Sequence, residues 1–178
     1  MKRSILFPIV TIALSAAVLL GTSVALSGVA KENGKREHIQ IMQTLLPGSE
    51  NFVVEPYSGD DANIVSVHKG ENGFVIETVT RGYVDDIRML IGVSNDGKVT
   101  GLMVREMHET FGLGLNGLTD TDFLSQFLNT SGEAEVGTNV DALTGATVTS
   151  KAITRAVNSA VAYVTGADAS SGATSWGG

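Results

Sequence analysis

Residues 87–104 read IRMLIGVSNDGKVTGLMV, the pattern of two strands joined by a tight turn. Two apolar runs, Ile87–Val93 and Val99–Val104, are separated by a polar connection at residues 94–98. The Asn, Asp and Gly of that connection accept the positive φ angles that a tight turn needs. The pattern therefore predicts a β-hairpin, whose two strands pair antiparallel.

The segments around the hairpin predict a small sheet with helices packed against it. Strand-like segments lie at residues 52–54, 64–67 and 74–80, and a brief strand is predicted at 134–136. Apolar residues at helical spacing predict helices at 36–46, 119–128 and 150–164. We therefore expect an α+β domain, in which an antiparallel sheet carries two or three packed helices.

The N-terminal residues are predicted to form one transmembrane helix ahead of this domain. The uncharged, mostly apolar run of residues 4–30 follows Lys2 and Arg3, and it is longer than the ~20 residues that a helix needs to cross a bilayer. A cleaved signal peptide is the alternative, because Gly28-Val29-Ala30 has a small-x-small cleavage pattern, although signal-peptide cores span only ~7 to 15 residues. Either alternative exports the remainder. The predicted organisation is an anchor at 1–30, a stem helix at 31–47, an extracytoplasmic domain at 48–165 and a flexible tail at 166–178.

Composition excludes several kinds of partner and cofactor. All 19 acidic residues but only 10 of the 12 basic residues follow Ala30, so the exported part has a net charge of −9. Such a surface repels nucleic acid. The chain has no cysteine, which excludes disulfides and thiolate ligation of iron-sulfur clusters, blue copper or structural zinc. Its three histidines are not at metal-site spacing, so we predict no metal site.

Two polar segments stand out as candidate functional loops. Residues 141–147, DALTGAT, place a threonine beside two tiny residues just ahead of the helix predicted to begin near Ser150. An attached phosphate is stabilised there, because the first turn of a helix has unpaired N–H groups. The alternative is that Thr144 or Thr147 only caps the helix. Residues 108–114, HETFGLG, form the second loop, whose glycines allow a flat ligand to approach the backbone.

The order of these features resembles that of FMN-binding domains: a hairpin, the H-x-E-T-x-G-L-G-like loop, a short helix, D-x-x-T-G-A-T and a second helix. Within these domains the chain is most similar to the G subunits of Rnf electron-transport complexes, with a longer relative in the sodium-pumping quinone reductase. The resemblance implies FMN joined to the protein by a phosphoester. The residues that it implicates are Thr147 as the flavin-bearing residue, Asp141, Thr144, Gly145 and Ala146 in the attachment motif, and Glu109, Thr110 and Leu113 near the flavin.

The same resemblance implies a single-pass membrane protein whose extracytoplasmic flavin relays electrons between other membrane subunits. The parent complex oxidises ferredoxin, reduces NAD and translocates Na⁺ or H⁺, and a flavin transferase attaches the FMN. Two alternatives remain open from the sequence. One is a membrane-anchored binding or assembly module without flavin, and the other is a stand-alone extracytoplasmic flavoprotein reductase.

A second copy of the attachment motif, DASSGAT, occupies residues 168–174. Thr174 lies four residues from the end of the sequence and no helix is predicted after it, so no helix start is available to receive a phosphate. We therefore expect Thr147 to be the working site. A flavin transferase that reads only local sequence would modify Thr174 as well.

Overall fold

The computed structural model describes the backbone of residues 2–109, 114 and 120–167, and the side chains of these residues except 2–13, 20 and 23–31. The chain divides into two compact units, Met1–Gln40 and Ile41–Gly178. The described residues of the first unit belong to helix α1 (Lys2–Leu45), and the second unit contains the last turn of α1 and all other described elements.

The second unit is built on a five-stranded antiparallel sheet in the order of the sequence. Its strands are β1 (Val53–Glu55), β2 (Ile64–Lys69), β3 (Gly73–Arg81), β4 (Asp86–Ser94) and β5 (Val99–Glu106). The β4–β5 pair is the predicted hairpin, in which Ile91 lies opposite Leu102. Gly97 has a φ of 80° and closes the turn by donating its N–H to the Ser94 carbonyl at 2.9 Å. The α+β class and the antiparallel sheet are confirmed.

One face of the sheet is covered by helix α3 (Thr147–Thr165), which packs on β3 and β4. Fully buried side chains from both layers form the main core, among them Ile76, Met89, Ile91, Ile153 and Val157. Because strand residues alternate between faces, the odd-numbered residues of β4 point into this core and the even-numbered ones point away from it. The helix is also tied to β3 by the Thr80 hydroxyl, which donates to the Ala152 carbonyl at 2.9 Å.

The last turn of α1 covers the opposite face of the sheet. Met42, Leu45 and Leu46 pack there with Val75 and Leu90 in a smaller apolar cluster. Two strand glycines allow this close approach: a Cβ at Gly92 would overlap the Leu45 carbonyl oxygen, and one at Gly101 would lie 3.0 Å from the Leu45 Cα.

The predicted polar stem is helical. Helix α1 is continuous from Lys2 to Leu45. It passes through Gly34, an unfavourable residue in a helix interior, and Arg36 pairs with Glu32 at 2.8 Å across this turn. No helix in the described part of the chain has a stretch both long and apolar enough to cross a membrane. The run 4–30 that predicts an anchor lies largely outside the residues whose side chains are described.

Three predicted elements differ in extent from the observed ones. Helix α3 begins at Thr147 rather than near Ser150, because the Ala146 carbonyl already accepts the Ser150 N–H at 2.9 Å. The brief strand at 134–136 is only an isolated bridge between Val136 and Val140. The predicted helix at 119–128 is confirmed as the shorter α2 (Thr121–Ser125), capped by Asp120. The predicted tail lies outside the described residues from position 168 onward.

Candidate functional site

The attachment motif ends in the first residue of α3. Thr147 is that residue and is exposed, as are Thr144 and Gly145 in the preceding turn. Gly145 has a φ of 72°, in the left-handed region that favours glycine. The Ala146 N–H donates to the Leu143 carbonyl at 3.0 Å, so the chain turns sharply into the helix. The turn therefore presents the Thr147 hydroxyl beside residues that have little or no side chain.

The N-terminus of α3 has no side-chain cap. Ala146 occupies the N-cap position, and the first turn contains no acidic residue. Among the described residues, no acceptor binds the N–H groups of Thr147, Val148 and Thr149. Unpaired N–H groups at a helix start favour an anion, through direct hydrogen bonds and through the positive end of the helix dipole. The alternative that the Thr144 or Thr147 side chain caps this helix is thereby excluded.

Side chains outside the exposed part of the motif hold its backbone in place. The buried Ser150 hydroxyl accepts the Leu143 N–H at 3.0 Å and donates to the Ala146 carbonyl at 3.0 Å. At the other end of the motif, Asp141 contributes its backbone: its N–H donates to the Gln126 amide oxygen at 2.7 Å, and its carbonyl accepts from the Gln126 amide nitrogen at 3.3 Å. The turn that carries Thr147 is therefore fixed from both ends.

A buried carboxylate connects the start of α3 to two other loops. Glu109, only 9% exposed, follows β5. Its Oε2 accepts the hydroxyl of Thr149 at 2.8 Å, and its Oε1 accepts the N–H of Val84, in the β3–β4 turn, at 3.1 Å. Both oxygens thus have a donor, which is the condition under which a carboxylate tolerates burial. Glu109 joins the first turn of α3, the β3–β4 turn and the segment after β5.

Two glycines leave the space that this arrangement requires. A Cβ at Gly82 would overlap Glu109 Oε1 and would lie 2.8 Å from the Asp85 carbonyl oxygen. A Cβ at Gly114 would lie 2.6 Å from the Thr149 hydroxyl and 3.0 Å from Glu109. These approaches to oxygen are closer than real Cβ contacts, so the carboxylate and its partner fit only because both positions lack side chains.

The structure assembles part of the predicted site. Glu109 bonds Thr149, two residues after the attachment motif ends at Thr147, whereas Thr110 and Leu113 lie outside the described residues. The roles of Thr149, Ser150 and Gln126 were not predicted. In the sequence, Thr149 and Ser150 can be recognised only as hydroxyl residues at a predicted helix start. No sequence pattern indicates that Gln126 pairs with Asp141.

The chain is similar to known proteins both in its central domain and over most of its length. A family model described as "FMN-binding domain" matches residues 82–162, a range that contains the β3–β4 turn, Glu109 and most of α3. The G subunit of the ion-translocating oxidoreductase complex of Methanosarcina acetivorans is 33% identical over 172 residues, covering 88% of this chain and 90% of its own. The G subunit of the Na⁺-translocating ferredoxin:NAD⁺ oxidoreductase complex of Acetobacterium woodii is 28% identical, covering 84% of each chain.

A third relative is named for a different ion. The G subunit of the proton-translocating ferredoxin:NAD⁺ oxidoreductase complex of Clostridium ljungdahlii is 37% identical over 99 residues, which cover 52% of this chain and 53% of its own. The match to the Methanosarcina protein extends over most of both chains, and the domain match coincides with the site at the start of α3. The chain therefore belongs to the family formed by the G subunits of Rnf-type ion-translocating oxidoreductase complexes.

Proposed function

We propose that this chain carries FMN as a phosphodiester on Thr147 and relays electrons within an Rnf-type ion-translocating oxidoreductase complex. The observation that carries the proposal is the exposed Thr147 at the uncapped start of α3, inside the segment matched by the FMN-binding domain model. The three N–H groups without acceptors among the described residues suit a phosphate, which offers several acceptor oxygens.

The neighbours of Thr147 fit the attachment of a bulky group. Gly145 and Ala146 present at most a methyl group beside it, and Gly145 is exposed. A flavin transferase would join the Thr147 oxygen to the FMN phosphorus, with a net loss of one water. The bound FMN would accept one or two electrons, and the protein would supply its position and its electrostatic surroundings. A covalent tether keeps the cofactor in place where its free concentration is too low to maintain binding.

The place of the chain in the cell is part of this proposal. The uncharged run of residues 4–30 would anchor it as a single-pass membrane protein, with the flavin domain outside the cytoplasm. The relatives are named as subunits of multi-subunit complexes, two of them ferredoxin:NAD⁺ oxidoreductases. We propose the other membrane subunits of such a complex as its partners. One relative is named for Na⁺ translocation and another for proton translocation, so the proposal does not specify the ion that the complex translocates.

The test is to produce the full-length protein together with a flavin transferase and to measure its intact mass. The proposal predicts the mass of the chain plus one FMN less one water, and a denatured pellet that remains yellow. Thr147→Ala should give a colourless pellet. Thr174→Ala is the matched control, because it removes the same residue from the second copy of the motif, and it should stay yellow.

Peptide mapping then locates the flavin. FMN on the peptide that contains Thr174, with none on the peptide that contains Thr147, would refute the assignment. A wild-type protein that remains colourless in the presence of an active transferase would favour a binding or assembly module without flavin. If the anchored protein purifies without other membrane subunits under conditions that preserve such complexes, the stand-alone reductase is favoured instead.

A further inference from the structure

A shallow groove runs along α3 on the same side of the helix as Thr147. Its wall on α3 is formed by Lys151, Thr154, Arg155 and Asn158, and residues 134–136 form the facing wall. Residues three, four, seven, eight and eleven apart lie on one side of an α-helix. The groove therefore starts one turn after Thr147, about 6 Å along the helix axis.

The two walls are held together by paired amide groups deep in the groove. The Asn158 amide nitrogen donates to the Ala134 carbonyl at 2.8 Å, and its amide oxygen accepts the Ala134 N–H at 3.2 Å. Asn158 is 7% exposed and Ala134 is 4% exposed. Because the amide oxygen and the amide nitrogen both bond Ala134, Asn158 ties the facing wall to α3.

The two basic side chains of the groove differ in their partners. The Arg155 guanidinium donates to the Arg81 carbonyl at 2.9 Å, which holds it against β3. The Lys151 side chain is exposed, and in the described part of the chain it forms no ion pair or hydrogen bond. Glu135 lies on the facing wall, yet it forms no ion pair with Lys151 within the described residues.

Lys151 lies in the second turn of α3, four residues after Thr147, and neither the cap nor the first turn of the helix supplies an acidic residue. An anion on Thr147 would give Lys151 a partner, because residues at i and i+4 on a helix are neighbours and an anion at i followed by a cation at i+4 is the favoured order.

We propose that Lys151 is the counter-ion of the flavin phosphodiester on Thr147. The inference rests on the proposed function, because it requires the ester. Lys151 would then be a positioning residue: its ammonium group would contact the single negative charge of the diester, while Arg155 keeps the rest of the α3 wall cationic.

The first test compares flavin-loaded full-length variants by phosphorus NMR and flavin fluorescence anisotropy. Lys151→Gln should shift the ³¹P signal and lower the anisotropy, whereas Lys151→Arg should stay close to wild type. Lys98→Gln is the matched control. It removes the same charge at the opposite end of α3, since Gly97 lies against Thr165, and it should change neither signal.

The second test uses only the wild-type sequence, so it does not depend on whether a variant is loaded. Acylation of individual lysines is followed by peptide mass mapping in the flavin-loaded protein and in the same protein produced without the transferase. Loading should slow acylation of Lys151 at least about twofold relative to Lys98, the ratio that corresponds to an exposed helical ion pair of ~0.5 kcal/mol.

The outcomes separate the inference from the proposed function. If intact mass shows no flavin on the wild type, the proposed function fails. If the flavin is present and Lys151 is acylated equally fast with and without it, the role of Lys151 is overturned while the flavin assignment stands. An unchanged ³¹P signal and anisotropy in fully loaded Lys151→Gln would have the same meaning.

Discussion

Replacing Thr149 with valine isolates the hydrogen bond that anchors α3 to the buried Glu109. Valine keeps the shape of threonine but removes the hydroxyl that donates to Glu109 Oε2 at 2.8 Å. Thr149 is 1% exposed and Glu109 is 9% exposed, so water does not readily replace the lost donor. Hydrogen bonds to charged groups contribute about 1.5–3 kcal/mol. We therefore expect Thr149→Val to lower the free energy of unfolding by about 2 kcal/mol.

A double-mutant cycle assigns this loss to the pair rather than to the helix. Glu109→Gln removes the charge but keeps an acceptor oxygen, so Thr149→Val should cost at least about 1 kcal/mol less in that background than in wild type. Thr149→Ser is the control for the first variant, because it retains the hydroxyl and loses only a methyl group. It should cost about 1 kcal/mol.

The measurement is urea unfolding of the full-length protein without flavin, followed by near-ultraviolet circular dichroism. This signal reports packed aromatic rings in the second unit, such as Tyr57 and Tyr163, whose centroids are 5.8 Å apart. A loss of less than about 0.5 kcal/mol for Thr149→Val, the usual range for surface substitutions without a structural role, would show that the Thr149 hydroxyl does not anchor α3. Equal losses for the valine and serine variants would also contradict it, since the hydroxyl would then contribute nothing.

Substitutions at three further positions test other parts of the structure by the same unfolding measurement. Gly82→Ala should lower the free energy of unfolding by about 1–3 kcal/mol, because the added methyl group would overlap Glu109 Oε1. A Gly82→Ala variant as stable as the wild type would contradict this close contact. Asp120→Ala should cost about 1 kcal/mol through loss of the α2 cap, and Asp120→Asn should recover most of it. Burial raises the pKa of Glu77, but hydrogen bonds, chiefly from Arg88, outweigh it and leave that pKa below its usual value of 4.5. This contribution to stability is present at pH 7 and is lost as the pH falls below about 4.5, so Glu77→Gln should reduce the loss of stability on acidification.

Local sequence patterns were sufficient for the sheet. The β4–β5 hairpin followed from two apolar runs and a turn sequence, and the alternation in residues 74–80 predicted β3 (Gly73–Arg81). The boundary of α3 was harder to predict, because a helix start depends on which carbonyl accepts the first N–H. Ala146 provides that carbonyl, so the helix begins three residues before the predicted start.

The attachment motif could be recognised from the sequence because its residues are contiguous. The supporting contacts could not, because they join residues that are distant in the chain: Gln126 with the Asp141 backbone, and Glu109 with both Thr149 and Val84. No local pattern specifies such pairs. The Glu109 contacts form only when the β3–β4 turn, the segment after β5 and the start of α3 meet, and the Gln126 contacts form only when the end of α2 lies beside residue 141.

The family, the antiparallel sheet and the threonine that is proposed to carry the flavin could all be recognised in the sequence, since each depends on a contiguous pattern of residue types. The folded structure was needed to find that this threonine stands at an uncapped helix start, that Glu109 is buried with two donors, and that Lys151 lines a groove one turn further along α3. Capping, burial and unpaired charge are properties of a residue's surroundings, which folding brings together from separate parts of the chain.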